Sequence, residues 1–153
     1  MVIREAGLLF RGFTLINGFY HQTSDDPIDK DLRSGLLTAM LNFAETAFSS
    51  ELIEYFEGSK YVVAFTNDKI MAEDSIDPEP LTAYSILDKE KKIDKFIHKV
   101  LIPLLKRVIE EFKINHEGKN LSEISQFRNF KTNLDNIFGM QTQKLDQRFK
   151  GIF

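Results

Sequence analysis

Apolar residues run from Ile3 to Phe10 and from Phe13 to Tyr20, on either side of Arg11-Gly12. Two such runs around a short glycine-bearing turn predict a β-hairpin. Gly7 and Gly18 interrupt the runs, which predicts bulges or the close approach of another group to the backbone. The polar stretch from His21 to Asp29 contains Asp-Asp-Pro and is expected to be a loop. Asp29 suits an N-cap, and Asp31 suits the first turn that follows. Leu32, Leu36, Met40, Phe43, Ala44 and Ala47 then recur at three and four residues, which predicts an amphipathic helix to about Ser49.

A second hairpin is predicted from Leu52 to Glu57 and from Lys60 to Thr66, around Gly58-Ser59. Its continuous run Tyr61-Val62-Val63-Ala64-Phe65 reads as a central strand covered on both faces. Asn67 to Pro80 is acidic and ends Asp-Pro-Glu-Pro, so an exposed connection is expected there. Leu81 to Leu87 is a fifth strand. Asp88 is the expected cap of the next helix, whose apolar positions keep helical spacing from Ile93 to Phe112, with Pro103 expected to kink or split it. Gly118 ends that segment. Asn120 with Glu123 resembles a capping box, and Leu121, Ile124, Phe127, Leu134, Ile137 and Phe138 predict a last helix.

The expected order is β-β-α-β-β-β-α-α. Strands joined by tight turns imply an antiparallel sheet, and the helices are apolar enough to cover both its faces. The expected class is therefore α/β in the broad sense, α+β in the strict one, with five antiparallel strands. Residues 1–138 form one domain, and 139–153 are a tail with Leu145, Phe149 and Ile152 at helical spacing. The expected core includes Phe43, Tyr61, Val63, Phe65, Ile97, Leu101 and Leu104.

Composition narrows the function. The chain has 153 residues and no cysteine, which excludes disulfides, thiolate zinc sites and a cysteine nucleophile. A net charge of −3 gives no electrostatic reason to expect nucleic acid. No apolar run approaches the ~20 residues of a membrane span. The opening Met-Val-Ile-Arg-Glu-Ala lacks the features of a secretion signal, so a cytoplasmic protein is expected. The 14 Phe against no Trp read as core filling at these helix and strand periods.

Candidate chemistry is sparse. Asp94 and His98 share a helix face and can pair, but no nucleophile accompanies them, so a solvated surface pair is expected. His21 and His116 are expected in loops, outside any metal set. Asp25, Asp26, Asp29 and Asp31 crowd one loop and helix start, but the calcium-loop spacing, its glycine and its closing glutamate are missing. Asp68, Glu73, Asp74, Asp77 and Glu79 are expected to form a solvated loop, with a basic partner as the alternative. No glycine-rich phosphate cradle exists. No cofactor, metal or catalytic set is expected. Lys144, Leu145, Arg148 and Phe149 form a short basic amphipathic stretch. It suits a partner's groove or a weak peripheral membrane contact, unless it folds back on the domain.

The element order resembles that of the longin domain, within the longin/roadblock/profilin-like group. Leu8-Leu9-Phe10-Arg11-Gly12 resembles a longin first strand and turn. Tyr61-Val62-Val63-Ala64-Phe65 resembles the strand after the first helix, and Leu81 to Leu87 with Asp88-Lys89-Glu90 resembles the last strand entering the long helix. Asp31-Leu32-Arg33-Ser34-Gly35-Leu36-Leu37-Thr38-Ala39-Met40 with Phe43 looks like small archaeal longin-like proteins. The resemblance implies a non-catalytic protein-binding or scaffolding module. Its implied partner is a small GTPase or another longin- or roadblock-type subunit, in trafficking or signalling, with homodimers or heterodimers expected. A small-molecule sensor domain is the alternative, and an enzyme ranks third. The expected interface joins the first helix to the strand after it: Leu37, Leu41 and Phe48 lie off the inward stripe, and Leu52, Glu54 and Phe56 lie on a strand expected at the sheet edge.

Overall fold

The computed structural model describes residues 2–20, 37–39, 55–58 and 60–138. They form an α+β fold on a five-stranded antiparallel sheet. The strands are β1 (Ile3–Phe10), β2 (Phe13–Phe19), β3 (Tyr55–Glu57), β4 (Tyr61–Ile70) and β5 (Glu79–Asp88). Their spatial order is β2-β1-β5-β4-β3. Residues 37–39 are helical. After β5 come α1 (Ile93–Phe96), a π-helical turn (Ile97–Leu101), α2 (Ile102–His116), a 3-10 segment (Ile124–Asn129) and α3, residues 130–138.

The first hairpin turns on Arg11 and Gly12, at φ 51° and 80°. Two positive φ values between paired Phe10 and Phe13 make the mirror-image turn whose twist matches that of the strands. The bulges lie beside the strand glycines rather than at them. Between β1 and β2 the pairing moves from Leu8 with Ile16 to Leu9 with Thr14, which leaves Leu15 as the extra residue. Leu15 and Ile16 can then both enter the larger core cluster despite being neighbours. Between β1 and β5 the extra residue is Arg4. Gly7 instead admits a ring: a Cβ there would stand 2.6 Å from the Ile16 carbonyl oxygen and 2.9 Å from the Tyr84 ring. Gly18 makes room in the same way for Tyr20, whose hydroxyl donates to Asp135 on α3 at 3.1 Å.

Alternation along the strands divides the core in two. On one face Leu8, Val62, Ala64, Leu81, Ala83 and Leu87 meet the buried stripe of α2. On the other face Leu9, Phe65, Tyr84 and Ile86 cluster with Leu37. Leu37 is 6% exposed, which corrects its expected place in an open interface: it is the described residue that covers the second face. Phe65, Ile97 and Leu101 are buried, while Tyr61, Val63 and Leu104 are half-buried against the clusters. Phe43 lies outside the described residues.

Other corrections concern the second half. β4 runs on to Ile70 and pairs it with Glu79, so the acidic connection is shorter than expected. Pro80 is tolerated because β1, the other neighbour of β5, stops pairing at Leu81. Asp88 does not cap a helix. It binds Arg4 through two bonds of 2.8 Å, and α1 begins after Lys92, at φ 62°. Pro103 does not split the helix. The π turn ahead of it, with Ile102 N–H bonding the Ile97 carbonyl, places Pro103 within the first turn of α2, where a missing N–H is tolerated. Gly118, at φ 83°, ends the segment. The last helix opens as a 3-10 turn, and the Asn120 carboxamide accepts the Ser122 N–H at 2.8 Å. Ile124 is 42% exposed, against the expected burial.

Two substitutions test this packing. Phe65→Ala is expected to cost ~2–5 kcal/mol in a denaturant melt. Gly7→Ala is expected to cost roughly 1–3 kcal/mol, because the Ile16 carbonyl cannot move without breaking the β1–β2 ladder.

Candidate functional site

β3 is a terminal strand of the sheet, hydrogen-bonded to β4. The Gly58 N–H donates to the Tyr61 carbonyl at 2.8 Å, which sets the phase of this ladder. Hydrogen-bonded and non-bonded pairs alternate from there. Phe56, opposite Val63, therefore directs its backbone groups at β4, and Glu57, opposite Val62, directs them outward. The Phe56 ring is stacked on Phe65 with centroids 5.4 Å apart, so the edge strand is fastened through the second face. Tyr55 fastens it to α1 instead: its hydroxyl donates to the Asp94 carboxylate at 2.9 Å. The same Asp94 oxygen lies 3.2 Å from His98 Nε2. The His98 and Asp94 side chains are 48% and 64% exposed. The hydroxyl that reaches this pair belongs to a tyrosine, and the geometry is that of a surface clasp between β3 and the helix. Leu41, Phe48, Leu52 and Glu54 lie outside the described residues, as do Lys144, Leu145, Arg148, Phe149, His21 and the Asp25–Asp31 group.

A carboxylate is buried further along the second face. Glu5 is fully buried beside Gly7 and accepts a hydrogen bond from the Tyr84 hydroxyl. Tyr84 crosses Gly7 to reach it, so the glycine and the tyrosine act as one device. Neither residue was singled out for this role from the sequence. The available signal was Glu5, next to Arg4, at the start of a strand that is apolar from Ala6 to Phe10.

At the opposite side of the sheet, Arg11 joins the acidic connection to the hairpin turn. Its guanidinium donates to both Glu79 oxygens and, at 3.0 and 3.1 Å, to both Asp74 oxygens. It also lies 4.8 Å from the Phe10 ring centre. The hydrogen bonds raise the Arg11 pKa and hold both carboxylates below their usual range. The connection expected to be merely solvated thus has its basic partner inside the chain. Its other end is tied to the end of α2, because Gly118 N–H bonds the Met71 carbonyl and Glu73 N–H bonds the Lys119 carbonyl.

Beside this clamp is a cleft of about 330 Å³ lined by Phe10, Phe13, Leu15, Leu121 and Ile124, with Arg11 and Ser122. Phe13 is 60% exposed. His116, expected in a loop, closes α2 with its ring among Phe112, Phe127 and Phe130. Its four-residue spacing from Phe112 was the signal for that. Its Nδ1 is buried without a hydrogen-bond partner in the fold, and burial, with Lys119 nearby, lowers its pKa. Among the described residues, no group of three His, Asp or Glu is placed to hold a metal ion, and no helix is long and apolar enough to cross a membrane.

A scan against models of known protein families finds no match to this chain, and a search of curated proteins finds none.

Tyr84→Phe, which leaves Glu5 without that donor, is expected to destabilise the fold by roughly 1–3 kcal/mol. His116 makes stability depend on pH near neutrality. The unfolded imidazole titrates at its ordinary 6.5 and the folded one lower, so the unfolded chain takes up the proton first. Stability is then full above the unfolded value and falls as pH drops through it toward the folded one. Melts across this window should show that slope, and His116→Phe should flatten it.

Proposed function

We infer that this chain is a non-catalytic protein-binding module of the longin-like kind. The observation that carries the reading is the β3 edge, which no other described strand pairs, with the Glu57 backbone directed outward beside the Tyr55–Asp94–His98 clasp. An open edge can accept a strand from another chain, with backbone hydrogen bonds supplying affinity and side chains selecting the partner. The acidic Glu57 discourages promiscuous pairing and favours a complementary partner. The resemblance of the first helix, Tyr61–Phe65 and Leu81–Leu87 to longin segments supports a small GTPase or a second longin- or roadblock-type subunit in that role, within the cytoplasm.

Among the described residues, the aromatic packing of the core supports binding over sensing. Phe112, Phe127 and Phe138 are wholly buried, and their rings occupy the space beside the sheet where a sensor would keep a ligand. The burial of Leu37 removes it from the contact surface, so the edge itself becomes the element to test.

Glu57→Pro deletes an outward N–H and leaves the Phe56 bonds to β4 in place. The variant is expected to melt within a few degrees of the wild type and to lose partner capture or self-association, read by sedimentation and by pull-down against nucleotide-loaded small GTPases. Retained binding with an intact fold would exclude the β3 edge.

A further inference from the structure

The cleft beside the Arg11 clamp lies at the other side of the sheet from β3, and the edge reading makes no use of it. Its floor is apolar and its outer wall is open: Phe13 and Ile124 are 60% and 42% exposed on either side of it. Large apolar side chains held open around a concavity usually mark a contact surface. At about 330 Å³, the volume is at the small end of ligand sites and suits one or two bulky side chains.

The rim determines which chains can bring those side chains. Among the described lining residues Arg11 is the cation, and its guanidinium is already engaged by both oxygens of Glu79 and both of Asp74. Those side chains are 30% and 63% exposed, so their charge still reaches solvent. Glu123, also exposed, lies in the chain between the lining residues Ser122 and Ile124. Among the described residues, the Arg11 guanidinium is thus outnumbered by the two carboxylates it holds beside an apolar floor, and the exposed Glu123 adjoins that floor in the chain. Such a rim attracts a basic segment and repels an acidic one, and the floor rewards an aromatic or aliphatic anchor.

We propose that this cleft is a second docking site, which receives an apolar anchor residue from a lysine- or arginine-rich segment of a partner protein. The proposal rests on reading the chain as a protein-binding module but not on the β3 edge. The rigid wall is supplied by the β1–β2 turn, held at Arg11, and by the start of the 3-10 segment, which packs against β2. Both walls are in place before a partner arrives.

The probe is a fluorescently labelled synthetic peptide of alternating Lys and Leu with one central Phe, compared with a peptide in which each Lys is Glu. Anisotropy is expected to show saturable binding of the lysine peptide that weakens as salt is added, and none of the glutamate peptide. Phe13→Ser should weaken binding roughly tenfold. Glu123→Lys should weaken it several-fold. Both positions are exposed, so both variants should keep the wild-type melt. Glu57→Pro should leave peptide binding unchanged, which separates failure of this site from failure of the edge. Equal binding of the two peptides would overturn the proposal, as would an unchanged affinity in Phe13→Ser. Uptake onto anionic phospholipid vesicles through Phe13 without peptide binding would also overturn it, and would assign the cleft to a membrane surface.

Discussion

Everything in this fold depends on β5 being surrounded. It is paired with β1 on one side and β4 on the other, and its residues from Leu81 to Leu87 are buried on both faces. A strand in that position cannot be solvated from any direction, so each of its side chains needs an apolar neighbour or a hydrogen-bond partner. Leu81, Ala83 and Leu87 meet α2, while Tyr84 and Ile86 meet Phe65, Leu9 and Leu37. The polar members are matched too. Ser85 donates to the Glu5 carbonyl at 3.0 Å, Thr82 to Asn67 at 2.6 Å, and Tyr84 to the Glu5 carboxylate. The two clusters are therefore two sides of one element, and β2 and β3 are the outer strands among those described.

The sequence made the sheet legible because its signals are local. Alternation, the Arg11-Gly12 turn and the unbroken run at Tyr61–Phe65 each act over a few residues, and each matches a described element. The failures came where a tertiary partner outcompeted a local preference. Asp88 is a good N-cap by type, but Arg4, displaced by a bulge in a strand far away in sequence, takes its carboxylate. The acidic connection reads as solvated only until Arg11 is brought against it. Pro103 reads as a helix breaker, and a single wider turn accommodates it.

The candidate surfaces were legible to different degrees. The edge position of β3 is what the longin and roadblock resemblance implies, and among the described strands β3 is terminal. The cleft was not legible. It joins Phe10 and Phe13 to Leu121 and Ile124, more than a hundred residues apart in the chain, and no short-range pattern connects them. Ile124 even carried the opposite expectation, since helical spacing assigns it to the core and only the 3-10 start turns it outward.

The π-helical turn has a consequence for how this chain could vary. It places five residues, Ile97–Leu101, where an α-turn needs about four, so the helix carries one residue more than its pitch requires. Everything after it, the α2 stripe down to Phe112 and His116, is phased by that surplus. Losing one residue here would turn the rest of the helix by about 100° against the sheet, while losing one from an exposed loop would only shorten a connection. The turn therefore acts as a frame marker within the helix: chains that share this packing must keep the extra residue, or lose it together with a rebuilt apolar stripe.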